Sequence, residues 1–63
     1  MSVGENIAKF RNNKKLSQRQ LAEIVGVHPS MIAQIERGSK VPTVTLARDI
    51  ANNLEVKVDD LLA

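Results

Sequence analysis

The sequence of residues 16–38, LSQRQLAEIVGVHPSMIAQIERG, carries the signals of two short helices joined by a tight turn. Ser17 and Gln20 have the spacing of a capping box, in which each side chain pairs a backbone N–H that the start of a helix leaves open. Gly26 can end the first helix because glycine tolerates a positive φ. Pro29 suits the first position of a second helix, since its missing N–H would be unpaired there anyway. The predicted helices are Gln18–Val25 and Pro29–Arg37.

Three further helices are expected around this pair. A second capping box begins at Ser2, ahead of a first helix over Val3–Asn13. Thr43 is a suitable N-cap for a fourth helix with a wide apolar face, which predicts packing against more than one neighbour. The apolar residues of that helix are Val44, Leu46, Ala47, Ile50, Ala51 and Leu54. Glu55 stands where the helix end would favour glycine, and a short fifth helix follows over Val58–Leu62. No segment alternates as a strand does, so the fold is predicted to be all-α.

The length of 63 residues predicts one domain over residues 1–63, with a small core and no room for a deep catalytic pocket. The sequence has no cysteine, which excludes disulfides and thiolate metal sites and fits a reducing compartment. No apolar run approaches the roughly 18 residues of a membrane span, and no signal-peptide pattern is present. We therefore expect a soluble, cytoplasmic protein with no membrane partner, cofactor, metal or small-molecule ligand.

Positive charge is concentrated in the first part of the chain. Residues 1–40 contain seven Lys or Arg and three Glu, a net charge of +4, whereas residues 41–63 contain two basic and four acidic residues, a net charge of −2. Lys and Arg side chains that approach phosphates release condensed counterions, so this asymmetry is typical of proteins that bind a polyanion. Solvated surfaces without a function carry similar imbalances, and charge alone leaves both interpretations open.

The third helix has two distinct faces. An advance of 100° per residue places Ile32 and Ile35 on its buried side, with His28 and Glu36 beside them. The opposite face offers a hydroxyl, an amide, a methyl group and a guanidinium, which are suitable groups for reading base edges. These groups belong to Ser30, Gln34, Ala33 and Arg37. A solvated helix could present the same side chains, so this face by itself does not decide the function.

The helix pair is similar to the helix-turn-helix of the Cro and phage-repressor family, also called the xenobiotic-response-element family. The matching residues are Leu16, Ser17, Gln18, Leu21, Ala22, Val25, Gly26, Val27, Ile32, Ile35, Glu36 and Gly38. The later pattern also resembles the family, at Pro42, Leu46, Ile50, Ala51, Leu54, Leu61 and Leu62. The resemblance implies a compact five-helix, lambda-repressor-like domain that places its third helix in the major groove of double-stranded operator DNA. It also implies a transcriptional regulator, most simply a repressor.

Roles for individual residues follow from the same resemblance. Base contacts would come from Pro29, Ser30, Met31, Ala33 and Gln34. Phosphate contacts would come from Gln18, Arg19, His28, Arg37, Ser39 and Lys40. Such phosphate contacts set register and affinity rather than sequence choice. Many relatives carry Gln, Arg, Lys or Thr where this chain has Pro29 and Ser30, so sequence choice is expected to depend on Gln34 or on DNA shape.

Arg11 and Glu36 match a pair that bridges the first and third helices in this family. Both lie near the apolar sides of their helices, where opposite charges need each other. We therefore assign both residues to structure rather than to DNA contact.

Enzymes and protein-binding modules are the alternative function classes. An enzyme would need converging polar groups, and His28 with Ser30 is the only suggestive pair. We expect these two side chains to diverge, with His28 serving as a helix cap or a phosphate contact, and we expect no catalysis. The same fold could serve as an antitoxin or adaptor that binds protein, or as the DNA-binding domain of a longer regulator. The apolar residues Val56, Val58, Leu61 and Leu62 either close the core or meet a second subunit. A homodimer, at least on DNA, would place two third helices in major grooves about 34 Å apart.

Overall fold

The computed structural model describes residues 2–63, and this part of the chain forms five α-helices. They are α1 (Val3–Asn13), α2 (Gln18–Val25), α3 (Pro29–Arg37), α4 (Val44–Asn53) and α5 (Val58–Leu62). Residues 2–63 contain no strand, so the all-α fold class predicted from the sequence is confirmed. None of these helices combines the length and the apolar character that a membrane crossing requires.

Helix starts follow the local sequence signals. The Ser17 hydroxyl accepts a hydrogen bond from the Gln20 N–H at 3.0 Å, and Gln20 Oε1 accepts one from the Ser17 N–H at 2.7 Å. Ser2 and Glu5 make the same reciprocal pair, each bond being 3.0 Å long. The Ser2 backbone hydrogen bond lowers the pKa of the Glu5 carboxyl from its ordinary value. The Thr43 hydroxyl likewise accepts from the third residue of α4. Both predicted capping boxes are therefore present.

Two helices are followed by a non-glycine residue in the left-handed region. Lys15 has a φ of 58° and Glu55 a φ of 60°. For a residue with a Cβ this conformation costs roughly 1–2 kcal/mol. The backbone compensates after α4, where the N–H of Glu55 donates to Asn52 at 3.2 Å and that of Val56 donates to Ala51 at 3.0 Å. These two bonds pair carbonyls at the helix end, and they hold Glu55 in the conformation for which the sequence position favours glycine.

All five helices contribute to one core. Its fully buried large side chains are Ile7, Leu21, Ile32, Ile35, Ile50 and Leu61. Helix α3 packs against α1 and α2, whereas α4 packs against α2 and α5, and α1 also meets α5. Because Leu61 is fully buried, the short fifth helix closes the core, which is the first of the two roles considered for its apolar residues.

Two of the apolar residues predicted for α4 differ in the structure. Leu54 is buried but follows the last residue of the helix as its C-cap, and Val44 is exposed. Val44 is 75% exposed. Val41 and Leu62 are also exposed, at 87% and 62%. These three residues lie along an apolar groove of about 160 Å³ that no helix of residues 2–63 covers. The groove is lined by Val3, Val41, Pro42, Val44, Ala47, Val58, Leu61 and Leu62. Val44 stays accessible because it faces this groove rather than a neighbouring helix.

Helix α1 crosses α3 at Gly4, a buried residue to which the sequence analysis assigned no role. A Cβ added at Gly4 would overlap the carbonyl oxygen of Ile35 and would lie 2.8 Å from that of Glu36. Only glycine allows the two backbones to approach this closely. The available signal was a glycine inside a helix, where its low propensity calls for a packing reason.

Asn6 connects α1 to the end of the fifth helix. Asn6 is only 3% exposed, so its polar side chain needs hydrogen-bond partners within the protein. Its Nδ2 donates to the carbonyl oxygens of Leu61 at 2.8 Å and Ala63 at 2.9 Å. The last carbonyls of a helix have no partner within the helix, so Asn6 satisfies groups that α5 cannot pair itself.

We expect Gly4→Ala to destabilise the protein by about 1–3 kcal/mol, the usual effect of overpacking a tight contact. Alanine is otherwise the better helix former, so a loss of stability would identify the contact with α3 as the cause. Urea unfolding followed by circular dichroism measures the change. Asn13→Ala, at an exposed position of the same helix, is the control and should be neutral or slightly stabilising. A Gly4→Ala protein more stable than the parent would contradict the close approach.

Candidate nucleic-acid interface

The turn between α2 and α3 fixes how the two helices are arranged. Gly26 takes a φ of 78°, and its N–H donates to the Ala22 carbonyl at 2.9 Å. The Val27 N–H donates to the same carbonyl at 3.0 Å. Ala22 is fully buried, and its small side chain allows α3 to pack directly on α2. This is the arrangement of two helices joined by a short glycine turn that the sequence predicts.

Helix α3 buries one face and leaves the other accessible. Ile32 and Ile35 belong to the core. Ser30 is exposed, and Gln34 is half-buried with no side-chain hydrogen bond to any part of residues 2–63. The other three residues predicted to contact bases are also accessible in part: Pro29, Met31 and Ala33. All five residues on α3 are therefore at least partly accessible, although Met31 also packs against the hydrophobic core.

Arg11 and Glu36, the predicted ion pair, are in direct contact. Arg11 Nε lies 2.7 Å from Glu36 Oε2, and Nη2 lies 3.0 Å from Oε1, which gives the two-pronged geometry of a strong charged pair. Arg11 Nη1 also donates to the Leu16 carbonyl at 2.6 Å. The Arg11 and Glu36 side chains are only 12% and 8% exposed. The pair therefore ties α1 to α3 and to the segment that precedes α2.

Gln18, predicted to contact phosphate, also takes part in this cluster. Its Nε2 donates to Glu36 Oε1 at 3.0 Å, so the side chain ties the start of α2 to α3. The capping box uses the backbone N–H groups of Ser17 and Gln20. Those of Gln18 and Arg19 make no hydrogen bond within residues 2–63. Unpaired N–H groups at the positive end of a helix suit a phosphate, so the backbone here provides donors in addition to the Gln18 amide.

His28 caps α3 through its ring. Nδ1 accepts a hydrogen bond from the Ser30 N–H at 3.1 Å and lies 2.9 Å from the Ser30 hydroxyl oxygen. The expectation that these two side chains diverge is wrong, because an N-cap side chain turns back onto the first residues of its helix. His28 is also exposed rather than near the buried face, since a cap residue lies outside the helical register. The contact has the geometry of a cap, and the sequence signal for it was the N-cap position itself.

Exposed cations lie near both ends of the helix pair. They are Arg19 in α2, Arg37 at the end of α3, and Lys40 in the following loop. None of the three forms an ion pair with another part of residues 2–63. Arg37 Nε donates to the Ser39 hydroxyl at 3.0 Å, which orients two of the predicted phosphate ligands together. This positive surface can attract an anionic polymer.

Comparison with known proteins gives concordant matches. A family model described as helix-turn-helix matches residues 7–61. The chain is 38% identical to control protein C.SmaI of Serratia marcescens. The match extends over 60 residues, which are 95% of this chain and 71% of that protein.

Two solved structures superimpose closely on this chain. The P22 c2 repressor protein in complex with a synthetic operator has a TM-score of 0.93 and 31% identity, over 98% of this chain and 94% of that chain. The master regulator for biofilm formation SinR, in complex with DNA, has a TM-score of 0.91 and 32% identity, over 97% of this chain and 98% of that chain. These superpositions confirm the five-helix, lambda-repressor-like fold.

We expect Glu36→Leu to destabilise the protein by about 3 kcal/mol, because the largely buried Arg11 guanidinium would lose its counter-charge. Arg11→Met should act similarly. The double variant, which replaces both charges by apolar groups, should cost clearly less than the sum of the two single changes. Urea unfolding of the four proteins gives the coupling energy. If the effects of the single variants simply add, the ion pair does not couple α1 to α3.

Proposed function

This chain belongs to the helix-turn-helix family of Cro and phage-repressor-type regulators, and on that premise we propose that it represses transcription by binding a specific operator in double-stranded DNA. The accessible face of α3 is the main support for this proposal. That face carries hydrogen-bonding and apolar side chains suited to base edges, while the core fixes the opposite face. Exposed cations that form no ion pair within residues 2–63 lie near the start of α2 and after the accessible face of α3, and they are available to phosphates.

In the proposed complex, α3 enters the major groove and the start of α2 rests on the phosphate backbone. Gln34 reads a base through its amide, and Ser30 reads a second base through its hydroxyl. The apolar groups of Pro29, Met31 and Ala33 can contact thymine methyl groups. Phosphates are held by Gln18, Arg19, His28, Arg37, Ser39 and Lys40. The side chains that choose sequence are thereby separated from those that supply affinity.

A repressor of this kind needs no chemistry of its own, because occupancy of the operator is sufficient. We assign no catalytic role to the His28 and Ser30 contact, which serves as a helix cap. We also propose a cytoplasmic location on the same ground, since a protein that occupies an operator must share a compartment with the DNA.

A homodimer on DNA is part of the proposal. The apolar groove exposes Val41, Val44 and Leu62, and a second copy of the chain would cover them. Stable interfaces bury about 800 Å² on each partner. The accessible surface of all 63 residues together is 4043 Å². Three exposed side chains contribute only a small part of that area, which is well below what a stable interface needs. A patch of this size suits two copies that DNA already holds side by side, because the high effective concentration makes a weak contact sufficient.

Binding to duplex DNA should depend on salt and should separate two classes of residue. Gln34→Ala should lose about 1–3 kcal/mol of binding free energy at one base position and leave the salt dependence unchanged. Arg37→Ala should weaken binding to all sequences and reduce the slope of log affinity against log salt by about one. Fluorescence anisotropy at several salt concentrations measures both effects on duplexes selected from a random pool.

Lys57→Ala is the control for charge, because Lys57 is an exposed cation that lies outside the helix pair, before α5. It should change neither sequence choice nor salt slope as much as the variants in α3 do. An affinity that does not fall with salt would contradict DNA binding and would favour an antitoxin or adaptor role. Unchanged sequence choice in Gln34→Ala would show that Gln34 does not read a base.

The groove should matter only when two copies bind together. We expect the double variant Val44→Ser with Leu62→Ser to bind an isolated half-site as the parent does, but a full palindrome about tenfold more weakly. These neutral changes leave the phosphate electrostatics intact. Ile24→Ser, at a half-exposed apolar residue outside the groove, should behave as the parent on both duplexes. Parent protein that binds the two half-sites independently would contradict dimerisation through the groove.

A further inference from the structure

We propose that His28 determines which bases Ser30 can read, by holding the Ser30 hydroxyl so that only its acceptor lone pairs remain for the major groove. The inference rests on the proposed function, in which α3 reads bases. His28 acts here as a positioning residue, because it acts on DNA sequence choice through Ser30 and not by its own contact with a base.

The Ser30 backbone N–H determines which nitrogen of a neutral His28 ring acts as the acceptor. The Ser30 N–H can only donate, and its nitrogen lies 3.1 Å from His28 Nδ1. Nδ1 must therefore present a lone pair. In a neutral imidazole one nitrogen carries the proton and the other accepts, so the proton of His28 lies on Nε2.

The ring in turn fixes the direction of the serine hydroxyl. Ser30 Oγ lies 2.9 Å from the same Nδ1. A nitrogen without a proton cannot donate, so this contact is a hydrogen bond only if the hydroxyl donates to it, and the single Nδ1 lone pair is then shared between the O–H and the N–H of Ser30. A serine hydroxyl has one proton and two lone pairs. With the proton committed to His28, the exposed side of Ser30 offers acceptors alone.

An acceptor alone distinguishes the bases. In the major groove adenine and cytosine present amino donors, N6 and N4, whereas guanine and thymine present the acceptors O6 and O4. A freely rotating serine hydroxyl could satisfy either kind. The fixed hydroxyl of Ser30 should select adenine or cytosine on the strand that it faces and disfavour guanine or thymine. One hydrogen bond is a modest term, and we expect a preference of about fivefold.

The position of the proton on the His28 ring can be measured without DNA. The chain contains a single histidine, so both ring ¹⁵N signals belong to His28, and only Nδ1 and Nε2 have to be distinguished. In mildly alkaline buffer, where imidazole is ordinarily neutral, ¹⁵N NMR of the parent protein should show the proton on Nε2. A proton on Nδ1 would overturn the inference while leaving the proposed function intact.

The base preference is tested by selecting duplexes from a random pool with three proteins. The parent should show one position with adenine or cytosine favoured, and Ser30→Ala should lose the preference at that position only. His28→Gly should lose it too, although Ser30 is retained. Glycine is among the residues favoured at an N-cap, so α3 should keep its start. The preference for the base read by Gln34 should persist in both variants and serves as the internal control.

A measurement on the parent alone keeps the test valid if a variant unfolds. When the selected base is adenine, replacement by purine, which lacks the 6-amino group, should weaken parent binding about fivefold. It should not weaken binding by Ser30→Ala. Preference for guanine or thymine at the Ser30 position, or an amino-base preference that survives His28→Gly, would overturn the inference. Absence of salt-dependent binding to any duplex would instead overturn the proposed function, and the inference with it.

Discussion

The carboxylate of Glu36 joins the three helices that frame the accessible face of α3. It lies on α3, receives two hydrogen bonds from Arg11 of α1, and receives a third from Gln18 at the start of α2. A carboxylate this deeply buried is costly unless its lone pairs are satisfied, and here the partners come from separate helices. The network therefore depends on the relative positions of α1, α2 and α3. Those positions also decide where the side chains proposed to read bases lie relative to the groups proposed to bind phosphates.

Helix α1 acts as the support behind α3. Gly4 lets the two backbones meet next to the carbonyls of Ile35 and Glu36, and Asn6 holds the end of α5 from the same helix. A 63-residue chain buries too little apolar surface for a large margin of stability. The close contact at Gly4 and the hydrogen bonds of Asn6 fix the relative positions of α1, α3 and α5 more closely than a small apolar core alone would. The accessible side chains of α3 are thereby presented on a rigid element, which reduces the entropy that binding must overcome.

Pro29 occupies a position where many relatives carry a hydrogen-bonding reader, and Ser30 has a short side chain. In the proposed complex, sequence choice therefore depends on few groups. The contact between His28 and Ser30 matters for that reason, because it gives direction to a hydroxyl that would otherwise rotate. In the proposal, the His28 cap of α3 has two roles. It stabilises the start of α3, and it restricts the hydrogen-bonding character of the adjacent reader.

The sequence by itself determined the presence of all five helices, the bounds of α1, α2, α3 and α5, and the N-cap of α4, because caps, glycine turns and apolar periodicity are local signals. Capping boxes at Ser17 and Ser2 and the turn at Gly26 are of this kind. The site contacts with DNA stay predictions. Tertiary structure decided what depends on partners distant in sequence: the backbone approach at Gly4, the link from Asn6 to α5, the engagement of Gln18 by Glu36, and the exposure of Val44. Periodicity says which side of a helix is apolar, but only the packed neighbours determine whether that side is covered and which polar atoms meet.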